Sequence, residues 1–129
     1  YEANSSFSSV LHTVRGWNTP GLVGYMESHD EERLMYKNIQ FGRTTDNYNV
    51  KELNTALKRM EPAYAMFLTL PGPKMIWQFG EVGFDYSINR CEDGSVSENC
   101  RLAIKPVPTN YYEVEERVVL LDKVQRLLK

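Results

Sequence analysis

A cluster of polar residues directly follows the first apolar run of the sequence. Residues 22–26 read Leu-Val-Gly-Tyr-Met, and residues 27–33 continue as Glu-Ser-His-Asp-Glu-Glu-Arg. In parallel α/β folds, groups at the carboxyl ends of strands converge on the ligand. There, a histidine beside acids can bind a hydroxyl-rich substrate, and a carboxylate that is both desolvated and fixed can hold developing positive charge. His29 and Asp30 are therefore the candidate functional residues.

Two other interpretations of the polar segment remain open. It could simply begin a helix, with Ser28 as N-cap and Glu31 as its capping partner, because acids favour the positive end of a helix dipole. A capped helix would also hold His29 and Asp30 rigid. A metal site is the weaker alternative, since adjacent residues rarely point at one ion and no second group of ligands is present. No metal site is predicted.

Several other side chains have plainer structural interpretations. Trp77, in a second apolar segment, is expected in the core more than on a binding surface. The same holds for Tyr111, whose alternative is a platform for a sugar ring. Arg33 is expected in a structural ion pair with one of the nearby acids Glu27, Asp30 or Glu31.

The spacing of apolar residues predicts the order helix, strand, helix, strand, long loop, helix. A first helix runs from Ser5 or Ser6 to Arg15, and the strands are residues 22–26 and 74–79. The middle helix begins near Asn49 and kinks or breaks at Pro62. The loop spans residues 83–109, and the last helix begins near residue 110. Strands alternating with helices imply a parallel sheet, with the two strands as neighbours.

Composition excludes several classes of function. The chain has 129 residues, enough for one domain, and a net charge of −2, so it lacks the basic field of a nucleic-acid-binding protein. Its apolar runs are far shorter than the ~18 residues of a membrane span. Cys91 and Cys100 are either free thiols or a local disulfide, which would favour an exported protein. The absence of an initiator Met and of a C-terminal helix cap predicts a piece of a longer protein.

Two segments together resemble one enzyme family. Residues 24–33, Gly-Tyr-Met-Glu-Ser-His-Asp-Glu-Glu-Arg, resemble the segment at the end of the seventh barrel strand in α-amylases of glycoside hydrolase family thirteen, with Ser28 at a position that is usually Asn. Residues 71–81, Pro-Gly-Pro-Lys-Met-Ile-Trp-Gln-Phe-Gly-Glu, are similar to the eighth-strand segment. The resemblance implies an α/β fold in which residues 1–129 are one piece of a (β/α)8 barrel, its last two βα units.

The resemblance also assigns roles to two residues. Asp30 would be the third catalytic carboxylate, which fixes the substrate and stabilises an oxocarbenium-like transition state, and His29 would bind sugar hydroxyls. The parent enzyme would cleave α-1,4-glucans such as starch by a retaining mechanism. Neither the nucleophile motif nor the acid motif of the family occurs in this sequence, so the chain alone is expected to be inactive. Many family members bind calcium, but no ligand set is evident and no cofactor is expected here.

Two alternative functions remain open. A glucanotransferase or branching enzyme would use the same residues for transfer instead of hydrolysis. A non-catalytic module could instead bind sugar or a protein through its aromatic side chains. Because the strand edges and helix faces of a barrel piece lack their partners, the chain is also expected to self-associate.

Overall fold

The computed structural model describes residues 6–129, which form three α-helices and four very short strands. The helices are α1 (Leu34–Phe41), α2 (Leu53–Thr69) and α3 (Glu115–Leu127). The strands are β1 (Gly24–Tyr25), β2 (Thr44–Thr45), β3 (Tyr48–Asn49) and β4 (Lys74–Met75). Single turns of 3-10 helix occur at Ser8–Val10, Gly80–Val82, Glu98–Cys100 and Thr109–Glu113.

The strands pair into two separate two-stranded sheets. β1 and β4 are parallel, with Gly24 opposite Lys74 and Tyr25 opposite Met75. β2 and β3 form an antiparallel hairpin between α1 and α2. The parallel neighbourhood of the two predicted apolar strands is therefore confirmed, although each contributes only two residues to the ladder.

The predicted fold class, an α/β piece with the last two βα units of a (β/α)8 barrel, is wrong. β4 is not followed by a helix packed against it but by a long irregular segment that ends only at α3. A continuous apolar run such as residues 22–26 is typical of a strand that is covered on both faces. Only two of these residues pair with β4, however, and Val23 is 51% exposed and Tyr25 is 48% exposed. Strands that are uncovered in this way do not form a barrel wall.

The helix boundaries also differ from the predictions. The segment up to Arg15 contains only the 3-10 turn Ser8–Val10, and Ser5, one of its candidate caps, lies outside the described residues. α2 begins at Leu53 because the residues around Asn49 are used by the β2–β3 hairpin. α2 continues through Pro62 without a break. The final helix begins at Glu115, after a 3-10 turn that occupies its predicted start.

The core lies where α2 packs against α1 and α3. Apolar residues of α2 recur three or four positions apart, so they form one face that is buried by the two other helices. A second, smaller cluster joins the segment after β4 to the turn before α3. The buried members of the main cluster are Met35, Ala56, Leu57, Met60, Tyr64, Phe67, Leu120 and Val124, and those of the second are Val82, Phe84 and Tyr111.

An apolar cavity of about 410 Å³ lies between the β1–β4 pair and the second half of α2. Its lining includes Tyr25, Met66 and Phe67, of which Tyr25 and Met66 are about half exposed. Phe67 is also a buried member of the main core, so the cavity borders that core. Self-association of the chain stays a prediction.

In the described part of the chain, no helix combines the length and the hydrophobicity that crossing a bilayer requires.

Truncation of a core side chain tests the α2–α3 packing. Leu120 is 1% exposed in the main cluster, whereas Leu102 is 96% exposed in the irregular segment. Leu120→Ala is expected to lower the free energy of unfolding by about 2–5 kcal/mol, because it removes buried contacts and leaves a cavity. Leu102→Ala is the matched control and should change it by less than about 0.5 kcal/mol. Equal effects in urea denaturation would contradict this packing.

Candidate functional site

The candidate site lies where the chain leaves the parallel strands β1 and β4. The polar segment of residues 27–33 follows β1, and Trp77 follows β4 by two residues. The His29 and Trp77 rings contact each other, with centroids 5.7 Å apart and planes inclined by 50°. The structure therefore brings together two side chains that are 48 positions apart in the sequence. Trp77 is half-buried and forms part of the site surface.

His29 and Asp30 both face solvent. Their side chains are 72% and 64% exposed, and His29 Nε2 lies 3.3 Å from Asp30 Oδ2. The other carboxylate oxygen of Asp30, Oδ1, accepts a hydrogen bond from Arg101 Nη2 at 3.0 Å. An exposed carboxylate, an imidazole and an indole thus share one surface with an arginine.

A buried ion pair, Glu27 with Arg33, lies beneath this surface. Arg33 Nη1 donates to Glu27 Oε1 at 3.2 Å, and both side chains are less than 10% exposed. The expected structural ion pair of Arg33 is thus confirmed, with Glu27 as its partner. Glu27 Oε2 accepts the N–H of Leu34 at 2.8 Å, which is the first backbone donor of α1. Glu27 therefore caps this helix through its side chain, as anions do at helix N-termini.

The alternative in which Ser28 caps a helix within residues 27–33 is wrong. α1 begins only at Leu34, and Ser28 lies six residues before it. The Ser28 hydroxyl instead donates to the Glu31 carboxylate and accepts the N–H of Asp30 at 3.1 Å. The bond between the Ser28 and Glu31 side chains is not a capping-box interaction, which would use backbone N–H groups; it closes a tight turn that supports His29 and Asp30.

Burial dominates the electrostatics of the ion pair. Desolvation raises the pKa of Glu27, and the Leu34 N–H and the Arg33 charge only partly offset this effect. Desolvation likewise lowers the pKa of Arg33, against the attraction of Glu27. It also raises the pKa of Tyr64, whose hydroxyl lies close to Glu27. Each charge therefore depends on the other in order to remain ionised inside the protein.

Arg33 also fixes the turn that follows β4. Its Nη1 donates to the main-chain oxygen of Gln78 at 3.2 Å, and its guanidinium lies 5.8 Å from the Trp77 ring centroid and 4.8 Å from that of Phe84. Phe79 has a φ of 65°, an uncommon left-handed conformation for a residue with a side chain. At Gly80, a Cβ would lie 2.6 Å from Glu27 Oε1, so only glycine permits this close approach.

The irregular segment of residues 83–109 is anchored to the same polar cluster. The Glu32 carboxylate accepts the Ser87 hydroxyl at 2.6 Å and the Ile88 N–H at 2.9 Å. Farther along, Cys91 and Cys100 form a disulfide, with their Cα atoms 5.0 Å apart. The disulfide is one of the two alternatives left open by the sequence. The disulfide closes a loop of residues 91–100, which directly precedes Arg101.

Comparison with models of known protein families finds no match, and a search of curated proteins finds no significantly similar sequence. Among residues 6–129, no group of three or more His, Cys, Asp or Glu side chains is arranged to hold a metal ion. The side chains of the site can form hydrogen bonds, interact with charge and pack against a ligand through the Trp77 ring.

Sequence reasoning missed two residues of the site, Glu32 and Arg101. Glu32 looked like one of several acids in a solvated run, and Arg101 belonged to the segment without a regular pattern. The only signal that pointed to Arg101 was its position next to Cys100. Its contact with Asp30 spans 71 positions, and no local pattern predicts such a contact.

The ion pair can be tested by a double-mutant cycle. Arg33→Met is expected to lower the free energy of unfolding by about 3–5 kcal/mol, because it leaves the buried Glu27 carboxylate unpaired. Combined with Glu27→Gln, the loss should be smaller than the sum of the two single effects, since the double variant buries no unpaired charge. Additive losses in urea denaturation would show that the two side chains do not interact.

The pH dependence of stability gives a second check on Glu27. Because its pKa is raised in the folded state, the folded protein retains this proton at a pH where the unfolded chain has lost it. The contribution of Glu27 to stability is thus greatest below the usual glutamate pKa and falls as the pH rises through the raised value. The free energy of unfolding of the wild type, minus that of Glu27→Gln, should decrease over this interval; an increase would contradict the raised pKa.

Proposed function

We propose that this chain supplies part of the substrate site of an α-amylase-like glycoside hydrolase that acts on α-1,4-glucans by a retaining mechanism. The observation that carries the proposal is the shared surface of Asp30, His29 and Trp77 at the ends of two parallel strands. The resemblance of residues 24–33 and 71–81, which contain these three residues, to two segments of that family also supports it.

Each side chain of this surface has a property that a saccharide site needs. Asp30 offers a carboxylate that can accept hydrogen bonds from sugar hydroxyls; it is 64% exposed here, and stabilising positive charge at an oxocarbenium-like centre requires the rest of the proposed enzyme to exclude water from it. His29 can exchange hydrogen bonds with hydroxyl groups through its ring nitrogens. The Trp77 indole offers an apolar face against which the C–H groups of a sugar ring can pack.

Catalysis requires more than these three residues. Retaining hydrolysis uses two carboxyl groups, a nucleophile and an acid/base, about 5–5.5 Å apart across the scissile bond. In the proposed enzyme Asp30 is neither of them, and the sequence holds no segment that resembles their motifs. The role of this chain is therefore to bind the sugar and stabilise charge. A glucanotransferase or branching enzyme would need the same contribution, and product analysis of the parent protein with starch separates transfer from hydrolysis.

Binding of a defined oligosaccharide tests whether this surface is a saccharide site; a non-catalytic sugar-binding module would bind as well, and product analysis of the parent protein with starch separates the enzyme from it. The chain is expected to bind maltoheptaose more tightly than cellohexaose in isothermal titration calorimetry. Asp30→Asn should weaken maltoheptaose binding by about tenfold or more, since hydrogen bonds to a charged group contribute about 1.5–3 kcal/mol. His29→Ala should weaken it by about two- to tenfold, since hydrogen bonds between neutral groups contribute about 0.5–1.5 kcal/mol. Asp30→Asn preserves the shape of the side chain, so its effect reports the loss of charge.

The matched control for this experiment is Asp46→Asn, in the turn between β2 and β3. Asp46 is also an exposed aspartate, but it lies on another part of the surface. Its replacement should leave the affinity unchanged. The proposal is wrong if the wild-type chain does not bind maltoheptaose, or if Asp30→Asn and Asp46→Asn bind it equally well.

A second expectation concerns activity. The chain of 129 residues should release no reducing ends from soluble starch above the level of its Asp30→Asn variant, because it lacks the nucleophile and the acid. An intact α-amylase serves as the positive control for the assay. Measurable hydrolysis that Asp30→Asn abolishes would contradict the expectation that this chain lacks the nucleophile and the acid.

A further inference from the structure

Arg101 makes two contacts with a single residue, Asp30. Its Nη2 donates to the main-chain oxygen of Asp30 at 2.7 Å and to the side-chain Oδ1 at 3.0 Å. On the opposite side, the His29 ring lies against Oδ2. The main chain and the side chain of Asp30 are thereby linked through one nitrogen, which restricts rotation of the carboxylate about the Cα–Cβ bond.

This ion pair is not placed where it would stabilise the fold. The side chain of Arg101 is 42% exposed and that of Asp30 is 64% exposed, and solvated pairs of this kind contribute little to stability. The pair also lies outside both apolar clusters. Its distinctive property is geometric, since it fixes one conformation of an exposed carboxylate.

The chain around Arg101 is built to present this side chain. The preceding residue, Cys100, is joined to Cys91 by the disulfide and ends a 3-10 turn whose N-terminus is capped by the Ser97 hydroxyl. The Lys105 ammonium then donates to the main-chain oxygens of Cys100 and Ala103, each at 2.8 Å. Arg101 thus projects from a turn that is held on both sides.

The other end of the segment is anchored two residues from Asp30. The Glu32 carboxylate accepts hydrogen bonds from Ser87 and Ile88, just before the disulfide-closed part begins. Between the two anchors, the chain folds back on itself. Arg90 and Val96 form an antiparallel bridge, and the Ser97 N–H donates to the Asn89 oxygen. The segment is thus attached to Glu32 near its beginning, through Ser87 and Ile88, and to Asp30 near its end, through Arg101.

We infer that Arg101 is a positioning residue for Asp30, and that the Cys91–Cys100 disulfide holds Arg101 in place, so that the disulfide-closed segment tunes saccharide binding at Asp30. For the identity of the ligand, an α-1,4-glucan, the inference rests on the proposed function. Arg101 acts through the carboxylate and is not assigned a contact with the sugar.

The conformation of the Asp30 side chain tests this inference without any ligand. Three-bond scalar couplings of its β protons, measured by NMR in the full chain, should indicate one χ1 rotamer in the wild type. They should average over several rotamers in Arg101→Ala and return toward the wild-type values in Arg101→Lys, which restores a cationic donor. Arg126→Ala is the matched control, because Arg126 is an exposed arginine paired with Asp122 on α3.

A second variant tests the role of the disulfide. Cys91→Ser combined with Cys100→Ser should average the Asp30 couplings in the same way as Arg101→Ala does. Amide hydrogen exchange should show that α2 and α3 remain folded in this variant. Adding Arg101→Ala to this serine variant should cause no further change in the couplings, since both changes remove the same contact, that of Arg101 with Asp30. Wild-type couplings in Arg101→Ala would overturn the inference, and wild-type couplings in the serine variant would overturn the part assigned to the disulfide.

Affinity measurements then connect positioning to the ligand. Arg101→Ala should weaken maltoheptaose binding by about three- to tenfold while the melting temperature stays close to that of Arg126→Ala, a combination that a purely structural role would not produce. If wild-type chain does not bind maltoheptaose, the proposed function fails. The couplings of Asp30, measured without sugar, still decide whether Arg101 positions it.

Discussion

A carboxylate and a guanidinium buried side by side, Glu27 and Arg33, determine how the two halves of the site meet. Removing these charges from water costs free energy, and their mutual attraction offsets it only with further hydrogen bonds. Those bonds come from the first N–H of α1 and the oxygen of Gln78. Leu34 follows β1, whereas Gln78 follows β4. The hydrogen bonds that the buried ion pair needs can therefore all form only when these two segments lie together.

The geometry of the exposed site follows from this constraint. β1 and β4 share only two residue pairs, too few to fix the direction in which the chain continues. The ion pair and the close approach at Gly80 supply the missing restraint. His29 and Trp77, which flank the buried pair on the two segments, are thereby brought into contact. An irregular stretch of chain can thus be as well defined as a sheet when buried polar groups must all find partners.

The parts of this arrangement that sequence could predict are those with a local signal. An apolar run that ends in polar residues predicted that His29 and Asp30 directly follow a strand, and the helical spacing of apolar residues predicted α2; the functional role of His29 and Asp30 stays a prediction. The barrel was a wrong extrapolation, because an apolar run such as residues 22–26 does not reveal whether one or two of its faces are covered. The contacts of Glu32 and Arg101 could not be predicted, since they join residues 55 to 71 positions apart.

The most direct test of this account is whether the two segments meet in solution. Nuclear Overhauser effects between the His29 ring protons and the Trp77 indole protons should be present in the wild-type chain, because the ring centroids lie 5.7 Å apart. The account predicts that these effects disappear in Arg33→Met under conditions where α2 and α3 remain folded. Their absence in the wild type, or their persistence in Arg33→Met, would contradict it.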